Sequence, residues 1–320
     1  MKTIAAILIG ISLLSCSKDK LITQQGVWNK IGSVILPGSK DNFNVAEPTL
    51  LYDSCPKLLK NTKMVYKMWF RNGNNNINYA ESLDGKDWIR DTGTVLNQKY
   101  CPYVFKHDSI YYLYCVEASW HSLDCYTSND GIHFVLEKNN VIPNFNSYGN
   151  TAIAYEDNKW YMFYEASQRT VDGYWKIYEA VSNDGINWTT NYTPIIAWQG
   201  CYGGPVYQKI NGLYYLWVHG SVTGCLPTDL YRFKSSNLTD WQRDVNASIL
   251  PRTTYDEGVN YDLGQIADPF IMEVNNKSYM FYSGGRDGTG NLKGVQNFTI
   301  KLAIANMPLS QLVQTTEGVE

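Results

Sequence analysis

Three carboxylates in this chain stand where they could share one chemical task. Glu47 lies in Ala46-Glu47-Pro48 and Asp268 in Ala267-Asp268-Pro269, each directly before a proline that restricts the backbone at its own position and at the one before it. Glu165 closes the aromatic run Trp160-Tyr161-Met162-Phe163-Tyr164. A carboxylic acid that gives a proton and a carboxylate that takes one can divide a hydrolysis between them. Inverting cleavage of a glycosidic bond needs that pair, at a separation of roughly 6.5–9.5 Å. Burial and mutual repulsion would raise the pKa of the member that serves as acid. Glu47 fits the base, and either Asp268 or Glu165 the acid. Arg71 and His219 end equivalent aromatic strands and are candidates for substrate binding, as are Tyr103 and Asn150 at two further strand starts. Each has a plainer reading: an acid before proline can cap a turn, Arg71 can serve as a structural counter-ion, and His219 can be a packed core histidine.

These residues lie far apart in the chain, so something must gather them. A repeated unit can. Phe270 to Val274, a turn at Asn275-Asn276-Lys277 and Tyr279 to Tyr282 read as two strands of a hairpin. Similar pairs start at Ala46, Cys101, Asn150 and Gly204, which makes five copies. Each continues into a further strand; three carry an Asp-Gly turn ahead of Trp88, Phe134 or Trp188, and Asp240 precedes Trp241 in the fourth. The aromatic residue and the apolar pair that follows it (Val95-Leu96, Val141-Ile142, Ile195-Ile196, Ile249-Leu250) mark a fourth strand. The fifth copy lacks that mark after Thr299 to Ala305, whereas Trp28 with Ile35 and Leu36 carries it at the other end of the chain. The expectation is an all-β, five-bladed β-propeller of four-stranded antiparallel blades, its ring closed by an N-terminal strand that completes the last blade and leaves no sheet edge open. A two-sheet sandwich is the rival fold. In a propeller the first strand of each blade lines the channel, so Glu47, Pro102 with Tyr103, Asn150, Gly204 and Asp268 should converge.

A net charge of −3 leaves no basic footprint for nucleic acid. The 25 tyrosines and 10 tryptophans suit a repeat core, with Trp120, Trp175 or Trp198 as possible stacking platforms on loops. No Cys/His spacing of a metal site and no cofactor motif is present. Residues 1–16 read as an export signal whose apolar run, Ile4 to Leu14, is too short to span a bilayer. It ends at Leu13-Leu14-Ser15-Cys16, a lipobox pattern that would make Cys16 the lipid-bearing residue of an outer-membrane lipoprotein. Residues 17–27 then form a tether, residues 28–308 the propeller and residues 309–320 a tail. Six cysteines remain, and Cys115 with Cys125 on consecutive strands is the preferred disulfide.

The acid-Pro strand openings and the Ser182-Asn183-Asp184-Gly185-Ile186-Asn187-Trp188 turn resemble the five-bladed propeller glycosidases of glycoside hydrolase family 43 and its relatives. The resemblance covers nearly all of residues 28–308. It implies activity on arabinose-, xylose- or galactose-containing glycans, with a blade-one carboxylate as base at the position of Glu47. The chain departs from that pattern where Tyr100-Cys101-Pro102-Tyr103 and Gly149-Asn150-Thr151 stand in place of the second and third family acids. Asp268 or Glu165 would then take the acid role. A propeller that binds glycans without cleaving them, or a glycoside phosphorylase, would follow if neither does.

Overall fold

The computed structural model describes residues 27–167, 175–196, 200–221, 228–244, 249–250, 265–285 and 298–315. Strand β1 (Asn29–Ile35) comes first and belongs to the last blade. Blade one is β2 (Val45–Asp53), β3 (Val65–Asn72), β4 (Ile77–Ser82) and β5 (Trp88–Arg90); blade two is β6 (Lys99–His107), β7 (Ile110–Glu117), β8 (Leu123–Ser128) and β9 (Val135–Lys138). Blade three is β10 (Ser147–Glu156), β11 (Lys159–Ser167), β12 (Lys176–Ser182) and β13 (Trp188–Pro194). Blade four is β14 (Cys201–Ile210), β15 (Leu213–Ser221), β16 (Asp229–Ser235) and β17 (Gln242–Arg243). Blade five takes β18 (Ile266–Val274), β19 (Lys277–Gly285) and β20 (Phe298–Ala305) from the end of the chain and β1 from its start, in the order β18-β19-β20-β1. The protein is therefore an all-β, five-bladed propeller closed by its N-terminal strand, and the pairing of Ile35 with Ile300 and of Asn29 with Ile304 is the clasp.

The turn before each outer strand explains why the units repeat so faithfully. In blade three Ser182 Oγ accepts from the Gly185 N–H at 3.0 Å, Asp184 Oδ1 accepts from Ile186 and Asn187, and the Trp188 indole donates to the Gly185 carbonyl at 3.1 Å. Gly185 sits at φ +73°, and a Cβ there would meet the Trp160 ring at 3.0 Å. Glycine therefore serves both the turn and the close approach of the next ring. The same turns tie blades together, since the Trp69 indole of blade one donates to the Gly131 carbonyl of blade two at 2.8 Å.

The apolar pairs expected within the fourth strands lie past the ends of those strands. Val95, Val141, Ile195 and Ile249 each donate a backbone bond to the start of the third strand, to Ile77, Leu123, Ile177 and Leu230 at 2.8–2.9 Å. Residues 309–315 form a short helix, α1 (Leu309–Thr315), whose Leu309, Leu312 and Val313 are buried in one cluster with Trp28 and Met280. No helix among the described residues is long and apolar enough to cross a membrane. Cys16 and the rest of residues 1–26 lie outside the described residues, as does Trp198.

The expected Cys115–Cys125 disulfide does not form; both thiols are free. Cys125 stands opposite Tyr114 in the ladder, and Cys115 opposite Asp124. The pleat therefore sends the two side chains to opposite faces, Cys115 into one apolar cluster with Trp69 and Tyr79 and Cys125 towards Tyr114 and the Gly185 carbonyl. Cys201 is the disulfide-bonded cysteine among the described residues.

Candidate active site

All five innermost strands slip register at the same height. The slips fall between Ala46 and Thr49, Tyr100 and Tyr103, Tyr148 and Thr151, Gly203 and Val206, and Ala267 and Phe270. Four of these bulges hold a residue in the left-handed region followed by proline: Glu47 at φ +58°, Cys101 at +51°, Gly204 at +55° and Asp268 at +48°. Proline suits the next position because a bulge leaves one N–H without a ladder partner and proline has none. Three of the four are not glycine, and such backbone costs on the order of 1–3 kcal/mol each. The bulge turns the preceding side chain out of the sheet and into the channel mouth.

This geometry shifts one expectation. The blade-two equivalent of Glu47 and Asp268 is Cys101, and Tyr103 lies two residues beyond it, after the bulge. The Tyr103 ring is buried against Phe270, centroids 6.1 Å apart, beside Pro48, Pro102, Pro205 and Pro269 around a small cavity of about 10 Å³ beneath the mouth. Burial pushes its phenol up to about 12. Tyr103 therefore lines this small cavity together with Asn150 and Asp268 and is not among the residues that line the larger pocket at the mouth.

The other candidates do converge. A pocket of about 510 Å³ opens at the mouth, lined by Glu47, Arg71, Asn150, Glu165, His219 and Asp268, with Tyr100, Trp120 and Trp175 on one side. Glu47 accepts from Arg71 Nε at 2.7 Å and from the Cys101 N–H at 2.6 Å, while its own N–H donates to Ser283 Oγ. The Arg71 guanidinium also lies over the Tyr100 ring at 5.2 Å. Arg71 is thus the counter-ion of Glu47. Asp268 accepts from Asn150 Nδ2 at 2.9 Å, which gives Asn150 a carboxylate to hold.

Glu165 is placed by backbone. Its Oε2 accepts from the N–H groups of Asn150 and Gly204 at 3.2 and 3.1 Å. The carboxyl fills space that side chains at Gly149 and Gly203 would take, since a Cβ on either would fall 2.5 or 2.4 Å from its carbon. His219 Nδ1 accepts from the Asp268 N–H at 3.0 Å, so the ring proton sits on Nε2.

Burial is the main force on all of these groups. It pushes the carboxyls of Glu47, Glu165 and Asp268 above the usual range. Arg71 pulls Glu47 back, whereas the charge of Asp268 pushes both Glu47 and Glu165 further up. Burial lowers His219 and keeps it neutral, against the pull of Glu165 and Glu47. Among the described residues no group of three or more His, Cys, Asp and Glu is arranged to hold a metal ion.

Sequence reading missed Cys101 and Tyr100 at this site, although Cys101-Pro102 parallels Glu47-Pro48 and Asp268-Pro269 and would have marked the first. Gly149 and Gly203 gave no such signal.

No protein-family model matches the chain, and no curated protein matches it. Solved structures share the fold. A thermostable family-43 glycoside hydrolase superposes with a TM-score of 0.55 at 21% identity, over 66% of this chain and 70% of that one. An endo-1,4-beta-xylanase from Bacteroides thetaiotaomicron gives 0.62 at 17% identity, over 84% and 91%. The alpha-L-arabinofuranosidase of Podospora anserina, solved with cellotriose, gives 0.64 at 12% identity, over 88% and 97%. At these identities the likeness is one of fold.

Proposed function

We propose that this chain is an inverting glycoside hydrolase acting on oligosaccharides, with Glu47 as base and Glu165 as acid. One asymmetry carries the assignment. Glu47 has a guanidinium at 2.7 Å that favours its ionised form against burial, whereas Glu165 is held by neutral backbone donors, which favour the carboxylate less. Glu47 would take a proton from a water whose oxygen bonds to the anomeric carbon, while the bond to the glycosidic oxygen breaks and Glu165 gives that oxygen its proton. The charge of Asp268 raises the pKa of both, a role in tuning proton transfer. Neutral His219 would offer its Nε2–H to substrate hydroxyls. The neighbours named above supply the substrate class to try first, arabinose- and xylose-containing chains. Cys16 remains the proposed lipid attachment site, on an outer-membrane lipoprotein; Cys16→Ala should release the protein into the soluble fraction.

The test is a panel of defined oligosaccharides read by mass, with proton NMR following the anomer first released. Glu165→Gln and Glu47→Gln should each lower turnover by roughly 10²–10⁴. Full activity in both variants would end the assignment. Binding of a glycan that stays intact would support the non-catalytic alternative, and turnover that depends on phosphate the phosphorylase.

A further inference from the structure

The backbones that flank Glu165 also hold the main chain of two tryptophans. The Tyr148 N–H donates to the Trp120 carbonyl at 2.9 Å, and the Tyr202 N–H donates to the Trp175 carbonyl at 3.0 Å. Tyr148 precedes Gly149 and Tyr202 precedes Gly203, the two glycines between which the Glu165 carboxyl lies. The rings line one wall of the pocket at an angle to each other: Trp120 and Trp175 have centroids 6.5 Å apart with planes 67° apart, and Tyr100 and Trp120 lie 4.3 Å apart with planes 35° apart. All three are half-buried and line the pocket. Trp120 is also held at φ +66°, where a bulky side chain is an outlier. The Glu47 side of the pocket presents charge, from Glu47 itself, Arg71 and Asp268.

We infer that Trp120 and Trp175, with Tyr100 packed between Trp120 and Arg71 as support, form the leaving-group subsite, stacking the sugar ring whose glycosidic oxygen receives the Glu165 proton. The direction rests on the hydrolase reading above. The stacking does not, because an indole face flanked by hydrogen-bonding groups suits the C–H face of a sugar whether or not a bond is cut. The substrate then carries at least one sugar unit beyond the scissile bond, on the side of blades two and three. Recognition of that unit comes from the rings and not from the carboxylates.

Calorimetric titration of Glu165→Gln with arabinose, xylose and their di- to tetrasaccharides reads the subsite without turnover. The chain-length series of one sugar should bind about ten-fold tighter from the disaccharide onward than the monosaccharide. That gain should vanish when Trp120→Ala and Trp175→Ala are added, and return in part with Trp120→Phe and Trp175→Phe, melts confirming that each variant is folded. A gain that survives loss of both indoles, or no gain in either series, overturns the inference. In the active enzyme the double alanine variant should lose about ten-fold or more in kcat/KM on an oligosaccharide and little on the matching glycosyl fluoride, which has no leaving sugar. Equal losses on both substrates would overturn the assignment to the leaving side. If no glycan is cleaved yet the binding gain still depends on the indoles, the hydrolase reading fails and the stacking wall stands.

Discussion

Gly203→Ala tests the placement of Glu165 without touching any functional side chain. A Cβ at this position would lie 2.4 Å from the Glu165 carboxyl carbon and 2.5 Å from each oxygen, where ordinary contact begins at 3.4 Å. The backbone of Gly203 is not in the left-handed region, so alanine introduces no φ strain. The clash falls on the far end of a flexible side chain, and the carboxyl moves into the pocket by about 1 Å, the difference between those distances. That retreat weakens its bonds from the Asn150 and Gly204 N–H groups, now 3.2 and 3.1 Å. A catalytic group misplaced by about 1 Å loses roughly 10² in rate, which is about 2.7 kcal/mol of barrier. Steady-state turnover on whichever oligosaccharide the panel identifies should fall by that factor, with the melting temperature close to wild type. Gly149→Ala should behave alike from the other flank, since its Cβ would meet the same carboxyl at 2.5 Å. Gly93→Ala, whose Cβ would meet nothing nearer than 3.6 Å, should change neither quantity. Turnover in Gly203→Ala within about three-fold of wild type would refute the placement argument, because a rate that tolerates this shift does not depend on where Glu165 sits.

Asp268→Asn removes the charge that raises Glu165, so the alkaline limb of the pH–rate profile should move to lower pH; an unmoved limb would show that Asp268 does not tune the acid. Glu165→Gln should stabilise the fold at neutral pH. The Glu165 pKa is raised in the folded state, so the native state holds a proton that the unfolded state releases, and stability declines as pH rises from the unfolded value of 4.5 through the folded one. The melting-temperature gain of the variant should therefore shrink towards zero in acid, and a constant gain would contradict this reading. Arg71→Met leaves the Glu47 carboxylate buried without its counter-ion and should destabilise by about 3–5 kcal/mol in urea unfolding, with much of the loss recovered in Arg71→Met/Glu47→Met. A loss below about 1 kcal/mol would mean that the pair is solvated.

Hairpin chemistry is local, and it was readable without coordinates. The Ser-x-Asp-Gly turns, the aromatic return strands and the misplaced fourth-strand mark at Trp28 and Ile35 depend on residues close in the chain, so they specified five blades and their closure. Convergence of Glu47, Asp268, Glu165, Arg71 and His219 followed, because a ring gathers equivalent strand ends whatever lies between them. Arg71 shows where that reading stopped: its position was evident, but its attachment to Glu47 was decided by the neighbouring strand.

What only the folded ring decided are matters of facing and space. The bulge before each innermost strand's apolar run sets which residue turns inward, and it put Cys101 at the mouth and Tyr103 beneath it. The pleat sent Cys115 and Cys125 to opposite faces, although their strands are neighbours. Glu165 owes its position to the missing side chains of Gly149 and Gly203, contributed by two different blades. A sequence records which groups a chain carries, whereas the space left by an absent Cβ has meaning only once a distant segment arrives to fill it.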